Sequence, residues 1–230
     1  MLKEKLDLIF DDWVSLTHNE NNGFVKDGIL DYDKWEKQKI KLMFYYKETY
    51  GYEDYGGTSI SNHYKEWIEN NQPTNKKMGL LAYLLIETVK SGRKIEWDEK
   101  DLKEKYADHN FLIEYFSKIS ILNINKLSIA ENKTSDRLIR IKSKENKKIL
   151  HAQLELIEPN VIICGGRVTS DSLYLDVNYL SKKNYKYEVA EIIDNKIIAP
   201  FQHLSSRTCW YEKIYNYYIQ ITELMKGLHN

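Results

Sequence analysis

Asn160-Val161-Ile162-Ile163-Cys164-Gly165-Gly166 is an apolar run of strand length that starts after a proline and ends in paired glycines. Pro159 ends the helical pattern before it, and a run apolar at every position is the signature of a strand buried on both faces. Ile40-Lys41-Leu42-Met43-Phe44-Tyr45-Tyr46 reads as a buried strand as well, and Ile119-Ser120-Ile121-Leu122-Asn123-Ile124-Asn125 as a further strand. Glu188 to Ile193 and Ile197 to Phe201 flank Asp194-Asn195, a pair suited to a hairpin turn.

Helical periodicity fills the intervals. Leu2, Leu6, Ile9, Phe10, Trp13 and Val14 place an amphipathic helix over about the first 16 residues, and Trp35 leads a short charged one. Further helices are predicted at Ser61 to Glu69, Lys77 to Lys90, Glu99 to Lys118 and Lys147 to Ile157. The last, from about Thr208 to Leu228, carries Trp210, Ile214, Tyr217, Ile221 and Leu224 on one side. Residues 49–59, with three glycines, and the charged stretch 131–146 read as loops. Strands alternating with helices predict an α/β fold: three layers, α/β/α, around a mostly parallel central sheet of about four strands. Residues 1–230 are read as a single domain with an N-terminal helix and a helical insertion at about 60–118.

Composition narrows the function. Thirty-four basic and 34 acidic residues give no net charge, so contact with nucleic acid has to use a local patch. No window approaches the length of a membrane span, and the N-terminus reads as no signal peptide, which predicts an unsecreted cytoplasmic protein, a monomer without membrane contact. Cys164 and Cys209 are far apart, and no histidine pair has metal-ligand spacing; neither a disulfide framework, a metal nor a cofactor is predicted. Gly-x-Ser-x-Gly, P-loop and Gly-x-Gly-x-x-Gly motifs are absent, which disfavours an α/β hydrolase or nucleotide-binding protein.

Ligands of parallel α/β sheets sit beyond the carboxyl ends of the strands. Lys47-Glu48-Thr49-Tyr50-Gly51 follows the first strand there and His203-Leu204-Ser205-Ser206-Arg207 the last. On these two segments, with Asn123 at the end of the second strand, the chain resembles the uracil-DNA glycosylase superfamily over about residues 40 to 225. Family members end the first strand in a Gly-Gln-Asp-Pro-Tyr-His type motif and the last in a His-Pro-Ser type motif. This chain departs from them with Glu48 for the aspartate, Thr49 for the proline and Leu204 for the proline after the histidine.

The resemblance implies a monofunctional DNA glycosylase that releases a base without strand cleavage. Glu48 takes the place of the water-activating acid, Asn123 reads the base edge and His203 donates to the base. Tyr50 lines the base pocket, with Tyr52, Tyr55 and Lys47 beside it. Its partner is DNA, duplex or single-stranded, with one base extruded. Leu204 is the expected wedge for the vacated stack; Ser205, Ser206 and Arg207, and less strongly Gly165 and Gly166, are the expected backbone contacts. The target is uracil, or a hypermodified phage cytosine, as in relatives that serve antiviral defence.

The chemistry stands apart from the resemblance. Breaking a bond from sugar to base builds positive charge on the sugar and negative charge on the base, so a carboxylate suits one and a donor the other. Each residue also has a plainer reading. Glu48 pairs with Lys47, His203 is a satisfied strand-end residue, the serines cap the last helix, and Gly165-Gly166 is a tight turn. A non-catalytic nucleic-acid-binding module on the same scaffold is the alternative to an enzyme.

Overall fold

A computed structural model describes residues 1–17, 24–48, 59–127, 134–181, 184–206 and 210–228. In chain order, α1 (Leu2–Thr17) leads to β1 (Gly28–Ile29), α2 (Tyr32–Glu36) and β2 (Leu42–Tyr46). Four helices follow, α3 (Tyr64–Glu69), α4 (Pro73–Ser91), α5 (Glu99–Ala107) and α6 (His109–Phe116), before β3 (Ser120–Asn123). Then come α7 (Asp136–Glu145), α8 (Lys147–Ile157), β4 (Val161–Gly165) and α9 (Arg167–Asp171), which runs into a π-helical turn at Ser172–Asp176. The hairpin β5 (Glu191–Ile193) and β6 (Lys196–Phe201) precedes α10 (Tyr211–Leu228).

The α/β expectation holds, but the sheet is mixed and has six strands, in the order β1-β3-β2-β4-β6-β5. The four central strands run parallel, while β1 and β5 pair antiparallel at the two edges. β2 and β4 are buried at every position, which is why they read as uninterrupted apolar runs. Alternate residues feed two cores. Leu42, Phe44 and Tyr46 face the helices α3, α4, α6 and α10; Met43 and Tyr45 face α1 and α8. Asp194 and Asn195 both adopt left-handed φ values, 49° and 61°, as a two-residue hairpin turn of this hand requires.

Three expectations about helices and loops are corrected. Glu99 to Lys118 is two helices, because Asp108 leaves helical geometry at ψ 105° and turns its carboxylate onto the Phe111 N–H at 3.0 Å as the cap of α6. The charged stretch 131–146 contains α7, capped by Ser135 and amphipathic through Ile139 and Ser143, which are buried. The last helix starts at Tyr211 rather than Thr208, and Trp210, expected on its packed side, is 69% exposed.

Asp27, read as part of a turn, is a buried anchor. Its carboxylate takes Lys126 Nζ at 2.7 and 2.8 Å, Gln153 Nε2 at 3.2 Å and the Asn123 backbone N–H at 2.5 Å. Burial pushes the Lys126 ammonium below its ordinary range, against the pull of Asp27. Asp27→Ala strands that ammonium where its side chain is 0% exposed, so unfolding by urea should show a loss of about 3–5 kcal/mol. A loss below about 1 kcal/mol, the range of surface pairs, would show that the pair is not holding the end of β3.

Candidate active site

Register places the candidate residues in rows across the sheet. Asn123 stands opposite Tyr46, Tyr45 opposite Cys164, and Gly165 opposite Phe201. Asn123, Tyr46, Gly165 and Phe201 therefore lie level at the carboxyl edge. Glu48 and His203 each lie two residues beyond that level, on strands separated only by β4, which sets β2 and β6 about 10 Å apart. Strand order reverses here, since β2 connects to β3 on one side and β4 connects to β6 on the other. That reversal opens the crevice in which such sheets bind ligands.

His203 is held by its own loop. Ser206 N–H donates to the His203 carbonyl at 2.9 Å, closing a turn, and Lys77 of α4 donates to the carbonyls of Leu204 at 2.8 Å and Ser206 at 3.4 Å. The Ser205 backbone N–H reaches His203 Nδ1 at 3.1 Å, with Ser205 Oγ at 2.6 Å from the same nitrogen. A backbone N–H can only donate, so Nδ1 is the acceptor and the neutral ring carries its proton on Nε2. Burial, reinforced by the charges of Lys47 and Lys77, pushes the imidazole down to about 4. At neutral pH the group is an uncharged Nε2–H donor.

Tyr46 completes this arrangement and was not singled out from sequence. Its ring lies 4.6 Å from the His203 ring at 30°, and it comes so close to Gly165 that a Cβ there would fall 1.9 Å from Cε1. Gly165 is thus a glycine for close approach. Gly166 is one for conformation, with φ 107° at the start of α9. The first of these signals was present in the sequence as a glycine ending a buried strand; its aromatic neighbour was not, because pairing between β2 and β4 crosses more than a hundred residues.

No family model matches this chain, and no match to it is found among curated proteins.

The remaining expected residues divide. Glu48 is buried at 6% exposure; among the described residues the hydrogen bonds of the His203 ring go to Ser205 and none joins it to Glu48. Asn123 is buried at 4% exposure beside Tyr46, with its backbone anchored by Asp27. Lys47 turns away to Asp136 of α7, at 2.6 Å, rather than pairing with Glu48. Leu204 is corrected: at 1% exposure it belongs to the core that α3, α4, α6 and α10 share with the sheet, so its side chain is not available as a wedge. Ser205 and Ser206 are also corrected as helix caps, since α10 starts at Tyr211. Their hydroxyls engage His203 and Gln202 instead. Tyr50, Tyr52, Tyr55, Arg207 and Cys209 lie outside the described residues.

Among the described residues no helix is long and apolar enough to cross a membrane, and no group of three or more His, Cys, Asp or Glu side chains is placed to hold a metal ion.

Proposed function

We propose that the chain is a monofunctional DNA glycosylase that hydrolyses the bond between an extruded base and its sugar. The observation that carries this reading is the neutral, Nε2-protonated His203 set level with buried Glu48 at the strand-order reversal.

The target atom is out of reach in a stacked duplex, so the nucleotide is turned out into the crevice at a cost of a few kcal/mol. As the bond between C1′ and the base nitrogen breaks, its electron pair leaves with the base, and charge gathers on the base oxygen. His203 Nε2–H donates a hydrogen bond to that oxygen and keeps its proton. A neutral donor held by Lys77 and Ser205 needs no reorganisation at that moment. Glu48 stabilises the sugar cation and orients a water, whose oxygen bonds to C1′ and whose proton passes to the carboxylate. Asn123, at the end of the adjacent strand, reads the base edge. The base leaves as its anion and takes a proton from solvent, Glu48 returns the water's proton to solvent, and the products are a free base and an abasic site in an unbroken strand. Uracil and a hypermodified cytosine are both candidates for the base, the latter in antiviral defence.

The test is mass spectrometry of bases released from uracil-containing, unmodified and phage-modified DNA. The chain should release one class of base, and Glu48→Gln should slow release by about 100-fold or more with DNA affinity retained. Unchanged release by Glu48→Gln removes the acid from the mechanism. DNA binding by the unaltered chain with no release from any substrate would favour the binding module.

A further inference from the structure

Leu204 is packed away, so the surface that meets the duplex beside the site has to come from elsewhere. Helix α7 lies across the carboxyl edge of the sheet. Its first residue, Asp136, bonds Lys47 just past β2; Lys142 and Lys144 line a cleft of about 610 Å³ with Asn125 and Leu127, just past β3. Arg140 lines a second cleft, of about 450 Å³, with Arg167, just past β4.

The two sides of α7 are unlike. Inward, Ile139 is buried, Arg140 pairs with Asp171, and Ser143 Oγ donates to Asp176 at 2.6 Å. Outward, Leu138 and Ile141 are 41% and 43% exposed. Arg137, Ile141 and Lys144 follow one helical stripe, and Lys148 continues it at the start of α8. Among the described residues none of Arg137, Lys144 and Lys148 pairs with a carboxylate. Residues 136–148 hold six basic side chains against two acidic in a chain with no net charge. Unneutralised cations around two exposed apolar side chains, beside the crevice, complement a polyanion that also offers sugar and base faces.

We propose that α7 is the helix on which DNA docks, with Arg137, Lys144 and Lys148 on phosphates and Leu138 and Ile141 pressed against the strand next to the extruded nucleotide. The inference rests on the glycosylase reading for its choice of DNA.

The test measures binding of the full chain to a fluorescein-labelled DNA duplex over a salt series, beside binding to anionic phospholipid vesicles. Four forms are compared: the unaltered chain, Arg137→Glu with Lys144→Glu and Lys148→Glu, a control with the same charge change at Lys65, Lys90 and Lys100, which are exposed elsewhere on the molecule, and Leu138→Ser with Ile141→Ser. The α7 variant should bind DNA more than about tenfold more weakly than the control, with a log–log salt slope shallower by about 2–3, one phosphate contact contributing about 0.9. Leu138→Ser with Ile141→Ser should weaken binding while leaving that slope unchanged.

Equal DNA binding by the α7 variant and the control overturns the proposal, as does an α7 effect confined to vesicles. Base release with α7-independent binding defeats the docking helix alone. Binding that depends on α7 without base release defeats the glycosylase reading alone.

Discussion

His203→Ala should lower single-turnover base release by about 100- to 1,000-fold, the range for loss of one preorganised donor to a developing oxyanion, with DNA affinity changed by less than about threefold. The expectation follows from the tautomer. Ser205 N–H occupies Nδ1, so a second proton on the ring would displace a hydrogen bond as well as place a charge beside Lys47 and Lys77. The imidazole therefore stays neutral from pH 7 down to about 4. Release should lack the inflection near pH 6.5 that an ordinary histidine would impose. A stability signature accompanies this. Between the ordinary value and about 4 the unfolded chain binds a proton that the folded chain does not, so this contribution is present above 6.5 and is lost as pH falls toward 4. His203→Asn should flatten that segment of the stability profile. Nitrogen NMR of the ring checks the assignment directly, and a neutral ring protonated on Nδ1, or a titration midpoint near 6.5, would sink the proposed role.

How much of this was legible in the chain depends on the distance over which each feature is determined. β2 and β4 were readable because a strand covered on both faces needs apolar side chains at every position. β1 was not, because two residues cannot display a period; Gly28 and Ile29 are a strand only through β3. α7 hid behind its charges, since its buried side amounts to Ile139 and Ser143, while Leu138 and Ile141 point outward. The positions of Glu48 and His203 at the carboxyl edge followed from local strand ends. Their surroundings did not. Leu204 sits beside a loop histidine in sequence yet is buried in a core shared with α4, more than a hundred residues upstream, and Lys77 of that helix, which grips the loop, lay in a stretch that periodicity marks only as amphipathic. Asp27 looked like turn chemistry because its partners, Lys126 and Gln153, lie about a hundred residues on.

Gly165→Ala should be among the most damaging single-methyl changes this chain can take. The added Cβ would fall 1.9 and 2.0 Å from Cε1 and Cδ1 of Tyr46 and 3.1 Å from Cδ2 of His203. The first two separations lie inside any real carbon contact, so the phenol ring has to move. At 5% exposure it is confined, with Phe44 at 6.1 Å on its own strand and His203 at 4.6 Å. Relief therefore requires a buried ring to be displaced. Overpacking of a well-filled core costs about 1–3 kcal/mol, and a clash with a hemmed-in ring belongs at or above the upper end. The displaced ring also gives up its contact with His203, so base release should fall by more than the stability loss accounts for. Tyr46→Ala separates these effects. Alone it should cost about 3–5 kcal/mol as a large-to-small core change, but in its presence Gly165→Ala should add far less than it does alone, because the two ring atoms inside contact distance are gone and only His203 Cδ2, at 3.1 Å, has to give slightly. Urea unfolding of the four proteins in this cycle gives the coupling. If the two costs simply add, Gly165 is a glycine for some reason other than the Tyr46 ring, and the stack of Gly165, Tyr46 and His203 is not what orients the imidazole.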